Sequence, residues 1–218
     1  MKKLIVLMLF LVLCFTGCGL RLSKDVSRTM SKLESKYGIL FEHYTWNGTD
    51  FYSANGVPFY ASMVDGVLND DVIPQTMGEF VSFGYEQALL QKDVQSEVAV
   101  SFLNASDDSV VAKDETNVNL SLAEYIEKYK VDKVSLRIVL LSDSYDSYDD
   151  CLKNIVNISE GFSAEYDVNM NISVYTTDNK DDTIVFFKKV PFSYMTDDLF
   201  GQTFEYKDSF SVKNGKKV

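Results

Sequence analysis

An α+β fold is what this 218-residue sequence predicts, with antiparallel hairpins and helices packed on them. Three observations carry that expectation. Asn-Gly and Asp-Gly turns recur at close spacing, and Ser/Thr-x-x-Glu signatures open amphipathic runs. Strands and helices also mix without the strict alternation of a doubly wound parallel sheet. The mixture repeats after residue 119, which suggests two similar α/β halves, 24–103 and 120–218, around an acidic loop or linker at 104–119.

The first half opens on a helix. Val26, Met30, Leu33 and Tyr37 recur at helical spacing from Ser23 onward, and Gly38 is a natural stop. Ile39 to Trp46 and Thr49 to Ala54 read as strands flanking Asn47-Gly48, where both residues tolerate positive φ. Asn55-Gly56 turns into a third strand, Val57 to Val64, and Asp65-Gly66 turns the chain again. Thr76 and Glu79 form a capping box for a helix whose pattern runs through Phe80, Phe83, Gln87, Leu90 and Val94. Ser96 to Leu103 alternates as a strand, with Val98, Val100 and Phe102 on one face.

In the second half, Ser121 and Glu124 cap a short helix through Tyr129. Val134 to Leu141 is apolar enough for an interior strand. The run Asp143 to Asp150 leads into a helix of about four turns that ends near Gly161. Val168, Met170, Ile172 and Val174 alternate as a strand. Asp178-Asn179-Lys180-Asp181 then turns into a strand over Thr183 to Val190, which Pro191 ends. The basic C-terminal tail reads as a frayed end.

Before all of this stands a targeting segment. Met1-Lys2-Lys3 is cationic and Leu4 to Phe15 is almost unbroken apolar sequence. That run is short of the roughly 20 residues that cross a bilayer, but it suits the h-region of a signal peptide. Thr16-Gly17-Cys18 follows, resembling the bacterial lipobox of an apolar residue, two small residues and a cysteine. The resemblance implies cleavage after residue 17 and a diacylglyceryl thioether on Cys18, which becomes the N-terminus. Two acyl chains hold a protein on a membrane where one does so only marginally. Residues 18–23 would form a lipidated N-terminus and short tether, with a reach of roughly 15–18 Å.

Composition excludes several function classes. The chain carries 32 acidic against 21 basic side chains and a net charge of −11. Such a surface repels nucleic acid, whose affinity for proteins rests on basic side chains at phosphates. It also repels an anionic bilayer, so the membrane partner is reached through the lipid on Cys18. With Cys14 removed and Cys18 acylated, Cys151 is left alone and forms no intramolecular disulfide. Asp149 and Asp150 beside it disfavour a reactive thiolate, so it reads as core.

One histidine, His43, rules out a multi-histidine zinc site, and no Gly-x-Ser-x-Gly elbow supplies it a nucleophile. A hydrogen-bonded structural histidine on a strand is the expectation. Asp143, Asp146, Asp149 and Asp150 lack the register of a calcium loop and read as acids favouring a helix N-terminus. His43, Tyr44, Trp46, Phe51 and Tyr52 make an aromatic hairpin, read as cross-strand packing rather than a ligand platform. No catalytic, cofactor-binding or metal residue is assigned, and no cofactor is expected.

The helix motif Met30-Ser-Lys-Leu33-Glu34-Ser-Lys36-Tyr37-Gly38 and the later Leu122-Ala-Glu124-Tyr125 resemble those of a group of uncharacterised lipoproteins from Gram-positive Firmicutes. The resemblance implies a lipid anchor and a Gram-positive source, and carries no activity. The expected role is a non-enzymatic lipoprotein outside the cytoplasm, on the cell membrane, binding an envelope protein or cell-wall partner. The alternatives are a small envelope hydrolase with paired carboxylates, or a solute-binding lipoprotein.

Overall fold

A computed structural model describes residues 23–106, 116–117, 119–142 and 145–218. Cys18 and the whole targeting segment lie outside the described residues, as does Asp143. The fold is α+β, built on two hydrophobic cores.

The smaller core is N-terminal. Helix α1 (Lys24–Tyr37) starts where the Ser23 hydroxyl accepts the Val26 N–H, and ends at Gly38 in the left-handed conformation, φ 70°. Its buried residues Val26 and Leu33 face Phe41, Tyr52, Phe59 and Val72. Strands β1 (Glu42–Trp46), β2 (Thr49–Ala54) and β3 (Val57–Phe59) form an antiparallel meander through the two Asn-Gly turns. The expected third strand divides at Tyr60. Its second part pairs as β4 (Ala61–Val64) with β5 (Val67–Asp70) across Asp65-Gly66.

Helix α2 (Val72–Leu90) joins the two cores. It begins four residues before the expected Thr76–Glu79 capping box, which does not form. Inside the helix, the Thr76 hydroxyl donates instead to the Val72 carbonyl at 2.7 Å. The expected buried face is also turned outward, since Ile73, Met77, Val81, Tyr85 and Leu89 are buried while Phe80 and Phe83 are exposed.

The larger core lies on a five-stranded sheet of order β10 (Lys216–Lys217), β9 (Glu205–Lys213), β8 (Asn169–Thr177), β7 (Lys133–Leu141), β6 (Ser96–Leu103). β6 (Ser96–Leu103) pairs antiparallel with β7 (Lys133–Leu141) from Ser96↔Leu140 to Leu103↔Lys133. Helix α3 (Leu122–Tyr129) lies between them in sequence and shows the full Ser121–Glu124 capping box. β7 and β8 (Asn169–Thr177) are parallel, Leu136 opposite Ile172, and helix α4 (Tyr148–Tyr166) makes the crossover that a parallel pair demands. α4 runs past Gly161, which is not in the positive-φ conformation of a helix-ending glycine and so imposes no stop.

One sheet face, with Leu136, Ile138, Met170 and Ile172, carries α2 and α4. The Tyr85 hydroxyl on α2 reaches Ser159 on α4 at 3.1 Å and Met170 Sδ on β8 at 3.8 Å. The opposite face carries Arg137 and Tyr175. Arg137 Nε donates to Asp197 at 2.6 Å, and Tyr175 packs on Phe200 at 5.2 Å, both partners on helix α6 (Asp197–Thr203).

Three expectations are corrected. The expected strand 183–190 is helical through Lys189, as α5 (Lys180–Lys189): Asn179 caps it, Asp181 and Asp182 sit in its first turn, and Lys188 and Lys189 in its last. The C-terminal tail is no frayed end. β9 (Glu205–Lys213) pairs with β8, and an Asn214-Gly215 turn returns it as β10 (Lys216–Lys217). Val212 is fully buried there, and the Lys217 N–H donates to Glu160 at 2.8 Å.

Nor are 24–103 and 120–218 two similar halves. β6 and β7 are neighbours in one sheet, so the chain on either side of 104–119 builds one structure. The core divides between Val72 and Ile73 instead.

Candidate functional site

Helix α2 places Gln75, Glu79, Ser82 and Glu86 at spacings of four, three and four, hence on one face. The Gln75 side chain accepts the Phe192 N–H at 2.7 Å and donates to Glu79 Oε1 at 2.8 Å. Glu86 Oε1 accepts the Ser82 hydroxyl at 2.9 Å and the Val98 N–H at 3.1 Å. Beside them β6 contributes Glu97, α5 contributes Phe187 and Lys188, and the β2–β3 turn closes the wall. Apart from the buried Gln75, these groups line an open cleft of about 260 Å³.

Three carboxylates in one partly dry cleft disfavour their own ionisation. Burial, then the neighbouring Glu97, pushes the Glu86 carboxyl up to about 7. Burial raises Glu79 against the Gln75 hydrogen bond. It also raises Glu97, opposed by the charges of Lys188 and, more weakly, Lys180. Among the described residues Lys188 is the one cation lining the cleft, so negative groups are in excess.

The rim is apolar. Phe83 lines the cleft and Phe80 lies one helical turn before it; they are 62% and 64% exposed. Large aromatic side chains left in water beside desolvated carboxylates suit a ligand that is both cationic and apolar.

The residues singled out in the sequence lie elsewhere. His43 Nε2 lies 2.9 Å from Asp50 Oδ1, and that hydrogen bond holds the Asp50 carboxyl below the usual range. In the aromatic hairpin Phe51 and Tyr52 are buried, Phe51 packing on Tyr194 at 5.0 Å and Tyr52 entering the smaller core. The Tyr44 hydroxyl donates to the Lys189 carbonyl at 2.9 Å, so these rings tie the meander to α5 and the segment after it.

Asp149 and Asp150 occupy the first turn of α4, and Asp150 pairs with Lys153 at 3.0 Å. Cys151 is buried and unbonded to other cysteines, and burial with the Asp150 charge pushes its thiol up. Among the described residues no three His, Cys, Asp or Glu side chains are placed to hold a metal ion, and no helix is long and apolar enough to cross a membrane.

Sequence reasoning gave Glu79 a capping role and missed Glu86 and Glu97. A polar 4–3–4 row embedded in an otherwise apolar helix was the available signal. Glu97 carried none, because its place depends on how α2 folds back along β6.

Comparisons with known proteins address the fold. The structure is similar to the crystal structure of a DUF5037 family protein from Ruminococcus gnavus, with a TM-score of 0.59 and 9% identity, covering 87% of this chain and 92% of that one. At that identity the likeness shows a shared fold. No family model and no curated protein matches the sequence.

Proposed function

We propose that this chain is a lipoprotein outside the cytoplasm, held on the outer face of a bacterial cell membrane by a diacylglyceryl group on Cys18. It binds a protein partner through the α2 rim and cleft, without enzymatic activity of its own. One observation carries the binding role: Phe83 stands in solvent at the cleft beside an excess of half-buried carboxylates, with Phe80 exposed one turn before it on α2. A partner segment presenting a lysine or arginine next to an apolar side chain complements both features, because the cation relieves carboxylates that burial has raised. The anchor is supported by the cationic start, the apolar run and Thr16-Gly17-Cys18.

Two experiments test the halves of this reading separately. Cys18→Ser is expected to release the protein from membranes and to lose the mass of the acyl groups. A photo-crosslinker replacing Phe83 in living cells is expected to capture one discrete partner, and Glu86→Lys to abolish that capture. Capture unaffected by Glu86→Lys defeats the binding reading and leaves the anchor untouched.

A second reading rests on the same cleft. In that reading Glu86, whose carboxyl burial pushes up to about 7, would be the general acid and Glu97 the second carboxylate of a glycoside hydrolase. Release of sugar from purified cell wall, lost in both Glu86→Gln and Glu97→Gln, would select it.

A further inference from the structure

A second exposed feature lies on α1 and the β4–β5 hairpin beside it, over the smaller core. Lys24, Arg28 and Lys32 recur every fourth residue along α1 and are all exposed, so they form one cationic row on the helix. The next member, Lys36, turns inward to Asp70 at 3.1 Å. In a chain of net charge −11, an exposed row of this sign is an exception.

The β4–β5 hairpin lies against this row. A Cβ on Gly66 would sit 3.7 Å from the Arg28 guanidinium. Its tip is apolar: Val64 and Val67 face each other across the turn and are 55% and 65% exposed, with Met63 and Leu68 half-buried behind them.

We propose that the Lys24–Arg28–Lys32 row and the Val64–Val67 tip form the face this domain rests on, its occupant being an anionic bilayer surface. Guanidinium and ammonium groups meet headgroup phosphates, while the two valines enter the boundary between headgroups and acyl chains. Position in the chain selects this occupant over another protein. α1 begins at Lys24, and an extended segment from residue 18 to Ser23 reaches roughly 17 Å, so the row stays beside any acyl anchor on Cys18. Asp25 on the helix and Asp65 at the tip offset part of the row's charge. The face therefore orients a domain already tethered and does not recruit a free one. The inference rests on the lipid anchor proposed above.

The test uses the full acylated protein in vesicles of phosphatidylcholine, with or without an equal part of phosphatidylglycerol. An environment-sensitive fluorophore is attached at Val67→Cys or, for comparison, at Phe83→Cys; the thiol of Cys151 is buried. The expected result is blue-shifted emission and quenching by spin-labelled lipid at position 67 in phosphatidylglycerol vesicles. The shift should diminish in Lys24→Gln/Arg28→Gln/Lys32→Gln, and position 83 should stay water-like. Equal emission at both positions, or a shift indifferent to the three substitutions, overturns the orientation. Flotation of the same vesicles reports the anchor independently. Protein that floats but shows no contrast defeats this inference alone, while protein that does not float defeats it together with the anchor.

Discussion

Glu86 Oε1 accepts the backbone N–H of Val98 at 3.1 Å, so a helix carboxylate closes a donor on β6, a terminal strand of the five-stranded sheet. Such edges otherwise invite pairing with another chain. The same carboxyl is pushed up to about 7 from an ordinary 4.5, so the folded state binds this proton more tightly than the unfolded chain. The contribution to stability is therefore full near pH 4.5 and falls as pH rises through 7. Glu86→Gln keeps an oxygen for Val98 and removes the charge. It should match the parent near pH 4.5 and exceed it at pH 8 by about 1 kcal/mol or more. Urea unfolding at the two pH values decides the matter, and a variant weaker at pH 8 refutes it.

Two glycines of α2 are expected to respond oppositely to alanine. At Gly78 a Cβ would lie 2.8 Å from the Phe192 ring and 3.5 Å from Val100, whereas Gly84 has nothing within 4 Å. Gly84→Ala should stabilise by up to about 1 kcal/mol through helix propensity alone. Gly78→Ala forfeits that gain to overpacking and should destabilise by about 1–3 kcal/mol. Thermal melts of the two variants should therefore move apart. Equal shifts would place Phe192 away from α2.

How much of this was legible in sequence depended on how local the cause was. The Ser121–Glu124 box and the Asn47-Gly48 turn are settled within four residues, and both stand where expected. α5 was misread because Thr183–Val190 is rich in β-branched and aromatic residues, while its helical cause, the Asn179 cap with acids first and lysines last, read as a turn. On α2 the exposed Phe80 and Phe83 carried the periodic signal, and the buried face became visible only once β6 and α4 packed against it. The cleft was illegible for the same reason. Glu86 and Glu97 meet through the fold-back of α2 on β6, which no spacing encodes.

Asp71 offers a pH test at the junction of the two cores. Its carboxylate accepts the Tyr60 N–H at 2.7 Å and the Ser193 hydroxyl, joining the end of the meander to the segment after α5. Burial nevertheless raises its carboxyl to about 7. Asp71→Ala removes both acceptors and should cost about 2–3 kcal/mol at pH 5. Because the parent loses stability as Asp71 ionises, the penalty should shrink at pH 8. Guanidinium unfolding at both values checks the sign, and a penalty that grows with pH would show the charged form to be the favoured one.

Tyr125 supplies a gain-of-stability test in α3. Its ring is fully buried, packed on Phe102 at 5.1 Å and Tyr129 at 5.2 Å. Its hydroxyl oxygen is among the buried polar atoms with no hydrogen-bond partner, and burial raises its pKa. A hydroxyl taken from water without a partner costs folding free energy, and phenylalanine keeps every ring contact while deleting that group. Tyr125→Phe should therefore raise stability by about 1 kcal/mol. A denaturant midpoint shifted upward with unchanged slope is the expected reading. A downward shift would mean that the hydroxyl is bonded in solution and anchors α3 to the sheet.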